Sequence, residues 1–274
     1  MPYETLRLAV ADGVATITFA RPEVRNALTE AMRADLAAAL AEVKAGQMNH
    51  IRALVIAGDG PAFCAGGDIA RLTASTAEPP AATRARLQGS HELLATLLDL
   101  DIPVIAAVQG AAAGAGASIA FACDLVLASP EARFVLSFGR LGLVPDWGAM
   151  WLLPRLVGLQ RAKELVLTAR NLTADEAQAM GLVTRVVPGE WLLATAHAWG
   201  RRFAAASPLA LSIAKEALDR AQDMDLATAL DLEPMAQSVT VTSDYTKDSL
   251  ARFRNREQLA FDWEALARAD GETA

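Results

Sequence analysis

IPVIAAVQGAAAGAGASIAFAC, residues 102–123, runs for twenty-two residues without a charge. That is nominally the length of a membrane-spanning helix. Its content argues otherwise: Pro103, Gln109, Gly110, Gly114, Gly116 and many alanines leave the hydrophobicity weak. A buried strand (IPVIAAV), a glycine turn and a buried helix account for it better. On that reading the chain is an α/β protein with no membrane partner, and the sequence on either side agrees.

Upstream, LRLAVADGVATITF (6–19) alternates around Asp12-Gly13, a hairpin signal. Thr29 is placed to cap a helix with Met32, Leu36, Leu40 and Val43 on one stripe. IRALVIAG (51–58) is a second buried strand, GDGPAFCAGGD (58–68) a loop, and TRARLQGSHELLATLLDL (83–100) a helix, with 73–83 the most loop-like stretch. Downstream, DLVLAS and ARFVLS read as strands, 160–168, 173–180 and 190–205 as helices, and LVTRVV as a strand. After Pro208 only helical spacing remains, until the pattern gives out at GETA (271–274). The expected organisation is a strand-rich body over 1–205 and a helical region over 206–274, packed on the body or on a neighbouring subunit.

The composition sets outer limits. The chain has 274 residues, 53% hydrophobic and 21% charged, which supports a sizeable core. A formal net charge of −7 weighs against non-specific nucleic-acid binding. Cys64 and Cys123 fit no ligand spacing and read as free thiols of a reducing compartment. The start, MPYETLRLAV, lacks the basic and apolar regions of a leader, so a cytoplasmic location is expected. His50, His91 and His197 are scattered without a ligand partner at i+4, and no metal site is expected.

Three stretches carry possible chemistry. In AFCAGGD (62–68), small residues after a strand admit a ligand close to the backbone, and amides near Gly67 can point outward where a helix starts at Asp68. The alternative is a tight turn with Asp68 as a cap. GAAAGAGAS (110–118) can also present amides, or can simply allow close helix packing. It is neither a dinucleotide fingerprint nor a phosphate loop, and Ser118 has no histidine or lysine to activate it. In GLVPDWGAMWLLPRLVG (142–158) only Asp146 and Arg155 ionise. Asp146 reads either as a helix N-cap or as a working base.

In this order, RPEVRNAL (21–28), AFCAGGD, PVIAAVQGAAAGAGA, ACDLVLAS (122–129), GLVPDWG with LPRLVG, and LTADEAQAMGLVTRVV (172–187) resemble the enoyl-CoA hydratase/isomerase (crotonase) superfamily over essentially the whole chain. The resemblance implies a crotonase-like spiral of repeated strand-strand-helix units with a C-terminal helical region that trimerises, often as a dimer of trimers. It implies an acyl-CoA thioester as substrate and no separate cofactor. By position, Gly67 and Ala115 supply the two backbone N–H groups that hold the thioester oxygen. The glutamates of typical hydratases align with Ser118 and Phe138, neither of which can act as a general base. The Pro-Asp position resembles epoxyphenylacetyl-CoA isomerases and Δ3-Δ2-enoyl-CoA isomerases, making Asp146 the single catalytic carboxylate. Trp147, Leu143 and Phe138 are expected to keep it dry, and Trp147 and Met150 to shape the acyl pocket. CoA contacts are expected from Arg25 to Ala27 and from Ala65 through Asp68 to Ile69, with Ser118, Phe138 and Trp147 beside the acyl group and Lys247 or Phe261 near the nucleotide. The implied activity is an acyl-CoA isomerase that moves a double bond or rearranges an aryl-CoA epoxide. The alternatives are a hydratase with an atypical site and a catalytically silent CoA-binding protein.

Overall fold

The computed structural model describes residues 3–47 and 49–270. The GETA terminus lies outside the described residues. Leu6–Ala11 (β1) and Val14–Phe19 (β2) form the hairpin. Asp12 and Gly13 both have positive φ (51° and 78°), as a tight turn matching the strand twist requires. Helix α1 (Glu30–Gln47) begins at Thr29, whose Oγ1 accepts from the Met32 N–H at 3.2 Å, and it buries Met32, Leu36, Ala39, Leu40 and Val43 along one stripe.

From there the chain repeats one motif. It runs β3 (Ala53–Gly58), β4 (Ala62–Cys64), α2 (Ile69–Ser75) and α3 (Pro80–Leu98). Next come β5 (Val104–Val108), β6 (Ala111–Ala113) and α4 (Ala115–Phe121). Then follow β7 (Leu125–Ala128), β8 (Arg133–Val135) and α5 (Ala149–Thr168). The first strand of each turn joins a six-stranded sheet ordered β1-β2-β3-β5-β7 and the second joins a smaller sheet ordered β4-β6-β8. The successive strands pair in parallel, so the chain winds as a spiral. β9 (Leu172–Thr173) closes the small sheet antiparallel to β8, and after α6 (Ala174–Ala179), β10 (Arg185–Val186) closes the large one. α7 (Leu192–Ala204) then covers the outer face of the large sheet.

This layering explains why the central strands show no polar alternation. Val55, Ala57, Ile105 and Ala107 pack outward against Leu192, Ala196 and Trp199 of α7. Leu54, Ile56, Val104, Ala106 and Val108 face the main core on the other side. Both cysteines are free and buried, and among the described residues no helix is long and apolar enough to cross a membrane.

Four further helices follow: α8 (Pro208–Arg220), α9 (Leu226–Val241), α10 (Asp244–Asn255) and α11 (Trp263–Ala269). α8 is tied to the body by Lys215, whose Nζ donates to Ile102 O (3.0 Å) and Asp124 (2.8 Å). α11 seats Trp263 against Trp199 and Phe203, with ring centroids 5.1 and 5.2 Å away.

Several sequence expectations need correction. The stretch 58–68 is not all loop: Ala62–Cys64 is a strand, and Ala111–Ala113 and Leu172–Thr173 add two more of only two or three residues. The stretch 73–83 is mostly the end of α2 and the start of α3. LVTRVV contributes only Arg185–Val186 as strand. The helix expected at 160–168 is the second half of α5, which kinks at Gly158 (φ 77°, ψ 158°).

Candidate active site

The site forms where β4 and β6 leave the small sheet. After Cys64 the chain turns through Gly66 at φ +86°. A Cβ there would stand 2.5 Å from the Ala113 carbonyl oxygen and 3.4 Å from the Ala115 nitrogen. Gly116 faces the other way: its Cβ would lie 2.3 Å from the Cys64 carbonyl oxygen. The β4 turn and the start of α4 therefore touch backbone to backbone, and side chains at these two positions would force them apart.

Most amides around this contact are used. Ala65 N–H donates to Arg25 O (2.9 Å), Gly66 N–H to Cys64 Sγ (3.4 Å) and Gly114 N–H to Val135 O (2.8 Å). Among the described residues, the N–H groups of Gly67 and Ala115 have no acceptor. Ala115 is the first residue of α4, whose leading N–H groups carry the positive end of the helix dipole.

Asp146 approaches from the third stretch. Ser118, one turn along α4 from Ala115 and fully buried, donates its hydroxyl to the Asp146 carbonyl at 3.2 Å, as well as to Gly114 O at 3.3 Å. The loop then passes through Trp147 (φ 49°) and Gly148 (φ 71°), both left-handed, before α5 begins. So Asp146 is not an N-cap. Gly148 holds that position with no side-chain cap bond, and Asp146 Oδ1 is buried with no hydrogen-bond partner. Its chain neighbours Pro145 and Trp147 are buried, and α3 covers the loop with Leu94 directly over Gly148. Burial lifts the Asp146 carboxyl from 3.8 to about 6, against the opposing pull of the Arg86, His91 and Arg33 charges. Leu143, expected to help keep it dry, and Met150, expected to shape the acyl pocket, are exposed (44% and 62%).

The other expected contacts divide. Asp68 is a helix cap, accepting from Arg71 N–H at 2.8 Å, and Ile69 is exposed. The Arg25 carbonyl is already bonded to Ala65, but its side chain is exposed, with Ala27 half-buried beside it. Lys247 pairs with Asp244 on the surface, and Phe261 packs near Trp263.

Sequence reading missed Asn26. Its side chain is fully buried at φ 56°. Its Nδ2 donates to the carbonyls of Asp59 (3.0 Å), Ala62 (2.8 Å) and Phe63 (3.2 Å), and its Oδ1 accepts from Arg21 N–H (2.9 Å). It ties RPEVRNAL to the strand that leads into the Gly67 turn. Asn26→Ala is expected to cost about 3 kcal/mol, because it orphans buried carbonyls and loses a side chain suited to a left-handed residue. Thermal unfolding checks this, and an unchanged Tm contradicts it. Arg33 and Arg86 were missed as well. The available signal was a lone arginine at position 86 on the apolar stripe that continues through Ser90 and Leu94.

Comparison with known proteins places these features in a family. Residues 9–265 match the enoyl-CoA hydratase/isomerase family model. The chain is 38% identical over 245 residues to the 1,2-epoxyphenylacetyl-CoA isomerase of Escherichia coli K12, covering 89% of this chain and 93% of that one. It is 42% identical over 202 residues to a probable enoyl-CoA hydratase of Rhodobacter capsulatus, covering 72% and 76%. The crystal structure of an enoyl-CoA hydratase/isomerase from Cupriavidus metallidurans CH34 superposes with a TM-score of 0.90 at 36% identity, covering 95% and 97%. The chain belongs to the enoyl-CoA hydratase/isomerase family and has the crotonase fold.

Proposed function

We propose that the chain is an acyl-CoA isomerase with Asp146 as its single acid–base residue. The observation that carries this reading is a buried carboxylate with an unpartnered oxygen, anchored one helical turn from an open main-chain N–H. The thioester oxygen of a 3-enoyl-CoA accepts from Gly67 and Ala115 N–H. Asp146 takes the C2 proton, the electron pair delocalises onto the thioester oxygen as an enolate, and the two amides stabilise that charge. The resulting carboxylic acid returns the proton at C4, and the double bond has moved to C2–C3. One base suffices because the proton is only relocated. On an aryl-CoA epoxide the same acid assists ring opening and rearrangement.

Hydration is the less favoured chemistry. It needs acid–base groups on water, and the positions of the hydratase glutamates hold Ser118, whose hydroxyl fixes the Asp146 loop, and buried Phe138. Phe138 and Trp147 wall the acyl group, while Arg25, Ala27, Ala65 and the exposed Ile69 edge lie toward CoA. Exposed apolar side chains on α9, among them Leu226 (73%) and Met235 (67%), support a homo-trimer or dimer of trimers through the helical region of 206–274.

The test is product analysis with 3-hexenoyl-CoA and crotonyl-CoA. Faster formation of 2-hexenoyl-CoA than of 3-hydroxybutyryl-CoA is expected. Because the base must be ionised, kcat/KM for isomerisation should fall as pH drops through about 6, the Asp146 value. Dominant hydration, or CoA binding without turnover of any acyl-CoA, would overturn the proposal.

A further inference from the structure

Arg86 lies on the inward stripe of α3 with Ser90 and Leu94, the face that covers the Asp146 loop. Its Nε is fully buried and unbonded, and among the described residues its guanidinium makes no hydrogen bond or ion pair. Asp146, whose Oδ1 is equally buried, feels the Arg86 and Arg33 charges but forms an ion pair with neither. Arg33, half-buried on α1, is in turn repelled by Arg86, and its one hydrogen bond is a long one, Nη1 to the Leu28 carbonyl at 3.4 Å, with no carboxylate paired to it. The neighbouring cations and anions do not resolve this. Arg71 is neutralised by Glu78 at 2.8 Å, and Glu30, which offsets Arg33, is exposed in the first turn of α1, as is His91 on α3.

An Nε–H buried without an acceptor is costly, and the like charge of Arg33 nearby raises the cost. An anionic group placed against the two arginines would remove that cost. The Asp146 carboxylate is held back from that role by its own loop, through the Ser118 bond and the two left-handed residues that follow. The Arg86 side of the Asp146 loop is thus short of one anion.

We infer that Arg86 and Arg33 form a subsite for a second anionic group on the acyl chain, so that the substrates are acyl-CoA thioesters whose far end carries a carboxylate. The guanidinium fork matches a carboxylate through paired N–H bonds, whereas an alkyl end leaves the Arg86 Nε without an acceptor and both charges without an anion. A site built for a charged partner rejects the analogue lacking it more strongly than an apolar pocket rejects an extra methylene. This inference rests on the acyl-CoA reading of the Asp146 site.

Calorimetric titration of the full chain with non-reacting pairs tests it: succinyl-, adipoyl- and suberoyl-CoA against butyryl-, hexanoyl- and octanoyl-CoA. In at least one pair the carboxylate-bearing ligand is expected to bind about tenfold tighter or more. In Arg86→Met that ratio should fall to about one, and Arg86→Lys should keep part of it. Equal affinities in every wild-type pair would overturn the inference. So would an unchanged ratio in Arg86→Met, or an equal loss for both members of a pair and for CoA alone, which would put Arg86 on a CoA phosphate. The isomerase reading is scored separately, by turnover of 3-hexenedioyl-CoA and 3-hexenoyl-CoA. A carboxylate preference without turnover sinks that reading alone, and turnover without the preference sinks only the subsite.

Discussion

Asp146→Asn is expected to isomerise 3-enoyl-CoA roughly 10³-fold more slowly than the wild type, within the range a positioned acid–base group supplies. The same variant should unfold at a higher temperature at neutral pH. The sign follows from proton binding. Burial raises the Asp146 carboxyl from 3.8 to about 6 in the folded state. Between those values the folded chain keeps the proton and the unfolded chain releases it, so the residue's contribution to stability declines as pH rises through that window. Above it the folded state carries a penalty of up to about 3 kcal/mol for the ionised form. Asparagine has nearly the same shape and no charge to bury. The Tm difference between variant and wild type should therefore widen from about pH 4 to about 6 and stay level above. Near wild-type turnover would remove Asp146 as the base. A Tm difference that ignores pH would mean the carboxylate is not buried in solution. Lost activity with gained stability also distinguishes a working residue from a structural cap, whose removal lowers both.

How much of this was legible in the sequence depends on where the information resides. β3 and β5 announced themselves because a strand covered on both faces must be apolar at every position, and Leu54 and Val55 obey that rule regardless of topology. The small sheet did not. Ala62–Cys64 is a three-residue strand whose existence depends on pairing with Ala111–Ala113, nearly fifty residues away, and no local pattern encodes that pairing. The Asp146 ambiguity was similar. Proline, aspartate and then an apolar run is what an N-cap looks like, and local propensity favours it. The outcome is set by Trp147 and Gly148, whose left-handed φ values turn the chain so that α5 starts beyond the reach of the carboxylate. The glycines of AFCAGGD and GAAAGAGA were visible as permission for close approach, but only the fold shows that they approach one another. Arg86 was readable as an anomaly on an apolar stripe; its missing partner was not.

That glycine contact carries the second large effect. Gly66→Ala is expected to lower kcat by about 10²-fold, close to the loss of an oxyanion donor. Alanine pays twice at this position. Its backbone would sit at φ +86°, which costs a residue with a Cβ about 1 kcal/mol or more. Its methyl would also stand 2.5 Å from the Ala113 carbonyl oxygen, closer than carbon and oxygen can be packed, so the two loops must separate. One loop carries the Gly67 N–H and the other the Ala115 N–H, and a displacement of even part of an ångström misdirects a hydrogen bond whose value lies in being aimed before the charge develops. Gly116→Ala forces the same gap from the α4 side, where its methyl meets the Cys64 carbonyl at 2.3 Å, and should give a similar loss. Gly181→Ala isolates the backbone strain: Gly181 has a comparable φ of +81° with nothing within 4 Å of its Cβ position. It should lower Tm slightly and leave kcat within about threefold, since strain alone costs about 1 kcal/mol away from the site. Because the base is untouched, the apparent pKa near 6 in the kcat/KM profile should survive in Gly66→Ala. If Gly66→Ala and Gly116→Ala fold and keep wild-type kcat, the two open amides are not where the thioester charge is held.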